Sequence, residues 1–225
     1  MASSSSSAAT DTGSSPPICT ELHAYYCMDV LAAHFEGREP ISPPFKNAQA
    51  SYALFVTWNT SSSSRPNAKP SLRGCIGNFA PMPLAKGLKD YALISALQDH
   101  RFSPIIEPEL SSLSCNVSLL TPMTPILSPL SWTIGKHGIH LTFPSPSNPS
   151  RTLSATYLPE IAEEQGWTKE ETVLSAIKKA GYRGRVEPRD EDEVWRSLEV
   201  QVYESEKSGA GWGEYWDWKK GRGTD

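Results

Sequence analysis

The sequence lacks the features that mark a membrane or secreted protein. No apolar run approaches the roughly 18 residues that a membrane span needs. The first residues, MASSSSSAATDTGSSPP, have neither the basic nor the apolar segment of a signal peptide. They also lack arginine and carry Asp11, unlike a transit peptide. We therefore expect a cytoplasmic or nuclear protein with no membrane partner.

Basic residues and cysteines are also few. The chain has 21 Lys and Arg against 25 Asp and Glu, a net charge of -4, which argues against broad, non-specific binding of nucleic acid. The four cysteines are Cys19, Cys27, Cys75 and Cys115, and no pair has the C-x-x-C spacing. We predict reduced thiols, no metal site and no cofactor.

The composition divides the 225 residues into three segments. Residues 1–17 are Ser-rich and are predicted to form a disordered tail. Residues 18–207 carry the periodic apolar patterns of a folded domain. Residues 208–225 form a Gly/Trp-rich tail, expected to be a disordered or loosely docked end.

Apolar periodicity predicts helices scattered among strand pairs. Thr20 is a plausible N-cap for a helix that Gly37 stops. YALFVTW at 52–58 reads as a strand that pairs with 72–79 across a polar loop, residues 59–70. The other predicted helical elements are a helix after Pro83, one helical turn at 108–110, and helices after Pro159 and Thr168. The other predicted strands are 113–119, a hairpin of 139–143 and 153–157 around a loop at 144–150, and a long strand at 194–202, whereas 121–129 is expected to be irregular. This order indicates an α+β fold with mainly antiparallel sheets.

The stretch Leu72-Arg73-Gly74-Cys75-Ile76-Gly77 is the strongest candidate site. Two glycines in a strand give up packing and therefore indicate a close backbone approach, a bulge or a bent edge. A guanidinium and a thiol stand beside that place.

LRGCIG at 72–77 resembles the hallmark motif of the AMMECR family, in a fungal or other eukaryotic member. Further stretches resemble the family in the same order over residues 18–207: LFVTW at 54–58, SALQDHRFSPI at 95–105, SLSCNVSLLTP at 112–122, GKHGIH at 135–140, EQGW at 164–167 and KKAGYRG at 178–184. The resemblance implies two unequal, intertwined subdomains, with mainly antiparallel sheets flanked by helices, and a cleft lined by residues 72–77. It also implies Memo-type or radical-SAM-type proteins as pathway partners, since prokaryotic relatives occur beside or fused to them.

Cys75 has two interpretations. As a nucleophile it would need a cationic neighbour such as Arg73, and the N–H groups of Gly74 or Gly77 would hold an anion. Alternatively, Cys75 is a small residue that fills a tight space. His137, in the Gly-x-His-Gly turn, is either the acid or base at the cleft edge or a histidine that stabilises its own turn.

Asp99 and Arg101 also have two interpretations. Arg101 either binds a carboxylate or phosphate in forked geometry or ties down the loop before Pro104. Two functions follow. The first is a binding or adaptor module for an unknown protein or small molecule, with contacts from Leu72, Arg73, Gly74, Ile76, Gly77, Asp99 and Arg101. The second is an enzyme for group transfer or modification of an anionic substrate, with Cys75 as the nucleophile and His137 as acid or base.

Overall fold

The computed structural model describes residues 17–60 and 70–222. Its helices are α1 Glu21–Glu36, α2 Leu84–Leu97, α3 Ile161–Gln165, α4 Lys169–Lys179, α5 Glu193–Arg196 and α6 Trp212–Gly221, with a 3-10 helix at Glu107–Ser112. Its strands are β1 Ser51–Thr60, β2 Ser71–Pro83, β3 Leu113–Leu120, β4 Thr124–Ile126, β5 Gly138–Ser145, β6 Asn148–Tyr157, β7 Glu199–Tyr203 and β8 Ser205–Gly211.

The strands form two four-stranded antiparallel sheets. The first sheet has the order β2-β1-β3-β8 and the second has the order β4-β7-β5-β6. All observed pairings are antiparallel. The predicted α+β fold with antiparallel sheets is confirmed.

The first sheet has one face covered by helices. Leu54, Val56 and Trp58 on β1 are fully buried and belong to one core cluster with residues of α1 and α2. Between them, Phe55 and Thr57 point to the opposite side and are only half-buried. We call that opposite side of the first sheet the open face.

Helix α1 begins and ends where the sequence predicts. Thr20 is its N-cap, and Gly37 closes it with a positive φ of 66°. Midway along the helix, the carboxylate of Asp29 is fully buried and accepts hydrogen bonds from Arg38, Tyr215 and Lys219. This network fastens α6 to α1.

The second sheet packs on α4 and α5. Its core includes Leu141, Phe143, Val173, Ile177 and Trp195. The helix predicted after Thr168 is confirmed as α4, and a capping box begins it: the Thr168 hydroxyl accepts the N–H of Glu171, and the Glu171 carboxylate accepts the N–H of Thr168.

Three predictions of local structure are wrong. The predicted strand at 194–202 begins instead as helix α5, because the Asp192 carboxylate caps the N–H of Trp195. The irregular 121–129 contains strand β4, which pairs with β7. The predicted loop at 144–150 is mostly strand, since β5 and β6 continue pairing up to Ser145 and Asn148.

The C-terminal segment is also more ordered than the prediction of a disordered or loosely docked end. Residues 205–211 form β8, which pairs with β3 along its length. Tyr215 of α6 is fully buried against the first sheet's core and donates to Asp29 at 2.8 Å. Long-range contacts of this kind leave no mark in the local composition.

The predicted disordered tail at 1–17 lies, except for Pro17, outside the described residues, and so does most of the predicted polar loop at 59–70. Within the described ranges, no helix is long and apolar enough to cross a membrane.

Candidate functional site

The glycines of the LRGCIG stretch make room for the protein's own atoms. The stretch lies in β2, the edge strand of the first sheet. A Cβ on Gly74 would lie 2.0 Å from the carbonyl oxygen of Ser95, so α2 approaches the strand closely. A Cβ on Gly77 would lie 2.2 Å from the carbonyl oxygen of Leu54 and 2.4 Å from the ring of Phe55. The predicted close approach is therefore present, and helix α2 and the neighbouring strand β1 make it.

Asp99 and Arg101 bind the two main-chain hydrogen-bonding groups of Cys75. The Cys75 N–H donates to Oδ2 of Asp99 at 2.9 Å, and Nη2 of Arg101 donates to the Cys75 carbonyl at 3.0 Å. Arg101 also pairs with the Asp99 carboxylate at 2.7 and 2.9 Å. The hydrogen bonds from Arg101 hold the pKa of Asp99 well below its usual range, despite its burial.

This Asp99–Arg101 clamp closes the sheet edge at Cys75. The outward main-chain groups of an edge strand otherwise offer a template for another strand. Here side chains already occupy both groups of Cys75. A partner of β2 at this position must therefore approach from the face of the sheet.

Arg73 is engaged in a structural tie. Its guanidinium pairs with Glu109 at 2.8 and 3.0 Å and donates to the carbonyls of Ser103 and Pro104 at 2.6 and 3.1 Å. This pairing lowers the pKa of Glu109. The Arg73 side chain is only 12% exposed. The tie to the loop around Pro104, predicted as one option for Arg101, is thus made by Arg73.

His137 lies in the turn that leads into the second sheet. Its Nδ1 accepts the N–H of Thr133 at 3.0 Å, and its Nε2 lies 3.8 Å from Glu204. Within residues 17–60 and 70–222, no hydrogen bond joins His137 to Cys75. The contacts match a histidine that stabilises its own turn.

Cys75, on the edge strand, is the first of a row of paired residues that crosses the open face from β2 to β8. Thr57 is the Cα partner of both Cys75 and Asn116, and Asn116 is the partner of Gly209. Cys75, Thr57, Asn116 and Gly209 are all half-buried. The Thr57 hydroxyl donates to Sγ of Cys75 at 3.1 Å. We call these four residues the polar row.

The remaining residues of the stretch divide between the two faces. Ile76 pairs with Val56 and lies on the helix-covered side, whereas Leu72 is 40% exposed. Gly77 pairs with Phe55 in the row next to the polar row. That next row continues through Ser118 to Lys207.

The second half of the molecule meets the open face beyond this row. Lys207 forms an ion pair with Glu160, which precedes α3. The Phe79 ring packs edge-on against Phe55 at 5.0 Å and against Tyr203 of β7 at 6.0 Å. The Phe79 ring also lines a pocket of about 270 Å³. The open face therefore has the polar row at one end and the rings of Phe55, Phe79 and Tyr203 at the other.

Sequence reasoning missed Thr57, Asn116, Gly209 and Lys207. A signal for Asn116 was present, because Ser114, Asn116 and Ser118 alternate with apolar residues along β3. That alternation indicates a polar face but not which residue stands beside Cys75. The strand order and register supply that information.

The described ranges hold no group of three or more His, Cys, Asp or Glu side chains placed to bind a metal ion. All four cysteines are free thiols. The absence of a cofactor and of a metal stays a prediction.

Comparison with known proteins gives one consistent result. The family model described as AMMECR1 matches residues 24–208. An uncharacterised protein of Arabidopsis thaliana is 41% identical over 197 residues, covering 88% of this chain and 87% of the relative. An uncharacterised protein of Saccharomyces cerevisiae is 39% identical over 193 residues, covering 79% and 76%. The crystal structure of an uncharacterised protein from Pyrococcus horikoshii superimposes with a TM-score of 0.61 at 26% identity, covering 83% of this chain and 89% of that one.

Proposed function

The chain belongs to the AMMECR1 family, and we propose that it is a binding protein whose partner lies on the open face, against the polar row. The observation that carries this proposal is the row itself. Cys75, Thr57 and Asn116 present a thiol, a hydroxyl and an amide side by side on a half-buried surface. Half-buried hydrogen-bonding groups of this kind fix the orientation of a bound molecule.

Arg101 supplies a charge at the edge of this surface. Its Nε and Nη2 groups are occupied by Asp99 and Cys75, whereas Nη1 makes no hydrogen bond to any residue of the described ranges. The side chain is 58% exposed. The free donors of this guanidinium favour a partner that brings a carboxylate or another acceptor beside Cys75.

Binding is favoured over catalysis because the chemistry around the thiol is incomplete. The hydrogen-bond partner of the Cys75 side chain within the described residues is the Thr57 hydroxyl, which is not a general base at neutral pH. Arg73 is held by Glu109 and two carbonyls, and His137 is held in its own turn. Arg101 is a cation near Cys75, but it is paired with Asp99 and cannot accept the proton of the thiol, so the base of a catalytic set is missing from the described contacts of Cys75.

A Memo-type protein is the first partner to test, because the family resemblance implies that pathway. The free thiols suit a cytoplasmic or nuclear setting for this encounter. The experiment is a titration of the chain with a purified Memo-type protein and, separately, with a radical-SAM-type protein. It compares the wild type with Asn116→Arg, which places a bulky charge on the polar row.

The matched control is Glu170→Arg, on an exposed position of α4 in the other half of the molecule. We expect Asn116→Arg to abolish binding and Glu170→Arg to leave it unchanged. Equal binding by wild type and Asn116→Arg would contradict the open face as the binding site.

The alternative function is an enzyme with Cys75 as nucleophile. The observation in its favour is the hydrogen bond from Thr57, since a donor at 3.1 Å stabilises a thiolate more than a thiol. The rate at which iodoacetamide alkylates Cys75, measured against pH, distinguishes the two functions. A rate within about fivefold of that of an ordinary thiol, the effect expected of one hydrogen bond, supports binding, whereas reaction well below the ordinary pH range of a thiol supports catalysis.

A further inference from the structure

A second surface of the molecule places two indole rings beside carboxylates. Trp212 and Trp216 of α6 have nearly parallel rings, 14° apart in tilt, with centroids separated by 6.5 Å. Trp216 is 40% exposed, which is unusual for the largest apolar side chain. The two rings wall a pocket of about 520 Å³ that also borders the 3-10 helix. We call it the indole pocket.

The charged residues that line the indole pocket are both acidic. They are Glu36 at the end of α1 and Glu107 at the start of the 3-10 helix, and both are exposed. Glu36 pairs with Arg38. Glu107 forms no ion pair or side-chain hydrogen bond with any residue of the described ranges. One carboxylate therefore stands unneutralised at the pocket wall.

The same indole already attracts cations of the chain itself. Nζ of Lys220 lies 5.5 Å from the centroid of the Trp216 ring, and Nζ of Lys219 lies 5.9 Å from it. Lys219 is committed to the buried Asp29 at 2.9 Å. These contacts fall within the range in which a ring face attracts an ammonium or guanidinium group.

The rings are also held in place before any ligand arrives. Helix α6 is fastened by Tyr215, which is fully buried and donates to Asp29 at 2.8 Å. Trp212 packs on the Tyr215 ring at 5.2 Å. A surface that is rigid beforehand loses less entropy on binding.

We infer that the indole pocket binds an arginine side chain of a peptide or protein partner. A guanidinium is planar and stacks on indole rings, and its forked donors match a carboxylate such as Glu107. Pro108 and Leu110 line the same pocket and suit the aliphatic stem of arginine. The pocket belongs to the helix-covered side of the first sheet and is independent of the function proposed for the open face.

The test is a titration of the full chain with a short Gly/Ser peptide whose only charge is the side chain of one arginine. The control peptide carries citrulline, which has the shape of arginine without its charge. Binding is followed by the indole N–H signals of Trp212 and Trp216 in nuclear magnetic resonance spectra, assigned with Trp→Phe variants. We expect saturable shifts of these two signals with the arginine peptide and weaker binding of the citrulline peptide.

Three variants locate the interaction. Trp216→Ala and Glu107→Gln should each weaken binding of the arginine peptide by about two- to fivefold, the size expected for an exposed ring or charge contact. Glu170→Gln removes the same charge at an exposed position of α4 and should change nothing. Since Glu107 is exposed, its variant tests the site even if Trp216→Ala impairs folding.

Three results would overturn the inference. One is the absence of shifts in the two indole signals at millimolar peptide. The second is equal affinity for the arginine and citrulline peptides. The third is a concentration-dependent dimer that Trp216→Ala dissociates, which would assign the indole pocket to a second copy of the chain.

Discussion

The Thr57 hydroxyl donates a hydrogen bond to the Cys75 thiol at 3.1 Å, across two neighbouring strands. Thr57 also pairs with Asn116 on its other side. The motif cysteine is thus one member of a row shared by four strands, and its surroundings come from residues distant in the chain.

This hydrogen bond should affect the reactivity of the thiol. Thr57→Val keeps the shape of the side chain and removes the donor, so the attacking thiolate loses stabilisation. We expect iodoacetamide to alkylate Cys75 about fivefold more slowly at neutral pH, given about 1 kcal/mol for one hydrogen bond. Peptide mass spectrometry measures the rate. Thr142→Val in the second sheet is the control, and an unchanged rate in Thr57→Val would contradict the contact.

The Asp99–Arg101 clamp should protect the main chain of Cys75. Asp99→Ala removes the acceptor of the Cys75 N–H, so that this amide becomes open to solvent. We expect its hydrogen exchange to accelerate about tenfold or more, consistent with an unsatisfied donor costing about 1–3 kcal/mol. Asp90→Ala, which removes an exposed carboxylate from α2, should leave the Cys75 amide unchanged. The same exchange rate in Asp99→Ala and wild type would show that the clamp does not form.

The closeness of α2 to β2 makes Gly74 intolerant of a side chain. A Cβ would lie 2.0 Å from a backbone oxygen, and backbone cannot rotate away. Gly74→Ala should therefore lower the free energy of unfolding by about 1–3 kcal/mol, the usual cost of overpacking. Gly213→Ala in α6 meets no atom within 4 Å and is the control. Urea denaturation measures both, and equal stability of Gly74→Ala and wild type would refute the close approach.

The buried Asp29 should make stability depend on acid. Burial by itself raises its pKa, but hydrogen bonds from Arg38, the Ile41 N–H, Lys219 and Tyr215 outweigh burial and hold the pKa well below the ordinary 3.8. The unfolded chain therefore binds this proton at higher pH than the folded one. The stabilisation is complete above about pH 4 and is lost as the pH falls below that value.

Asp29→Asn tests this dependence. Removing one partner of a buried ion pair costs about 3 kcal/mol or more in deep sites, and we expect somewhat less here because Arg38 is partly exposed. The stability difference between wild type and Asp29→Asn should be largest at neutral pH and should shrink between pH 4 and pH 2. Urea denaturation at several pH values measures it, with Asp90→Asn as the exposed control. A difference that stays constant with pH would contradict the ionised Asp29.

The sequence predicted helix ends correctly where a cap residue marks them. Thr20 and Gly37 mark the two ends of α1, and Thr168 marks the start of α4, because capping depends only on residues close in the sequence. The strand at 194–202 was mispredicted because the Asp192 cap starts a helix within an alternating pattern.

The residues around Cys75 were harder to predict than the helix ends. The pairing of β1 with β2 shifts register between Trp58 and Asn59, so counting residues cannot place Thr57 beside Cys75.

The contacts of the charged residues near Cys75 also could not be predicted from the sequence alone. Arg73 stands next to Cys75 in sequence, yet its guanidinium is committed to Glu109, whose position depends on the fold. Arg101 donates to the carbonyl of Cys75 from the turn that follows α2. The sequence singled out residues 72–77 as a candidate, which stays a prediction, and only the tertiary contacts show that Arg73 is engaged by Glu109 whereas Arg101 lies at the main chain of Cys75.

The most direct test of the open face is the alkylation rate of Cys75 in the presence of a bound partner. Cys75 is half-buried in the free chain, so a partner on the polar row must cover its thiol. We predict that saturating partner slows alkylation of Cys75 about tenfold, and that Asn116→Arg, which should not bind, restores the free rate. An unchanged rate at Cys75 in a fully formed complex would contradict the account.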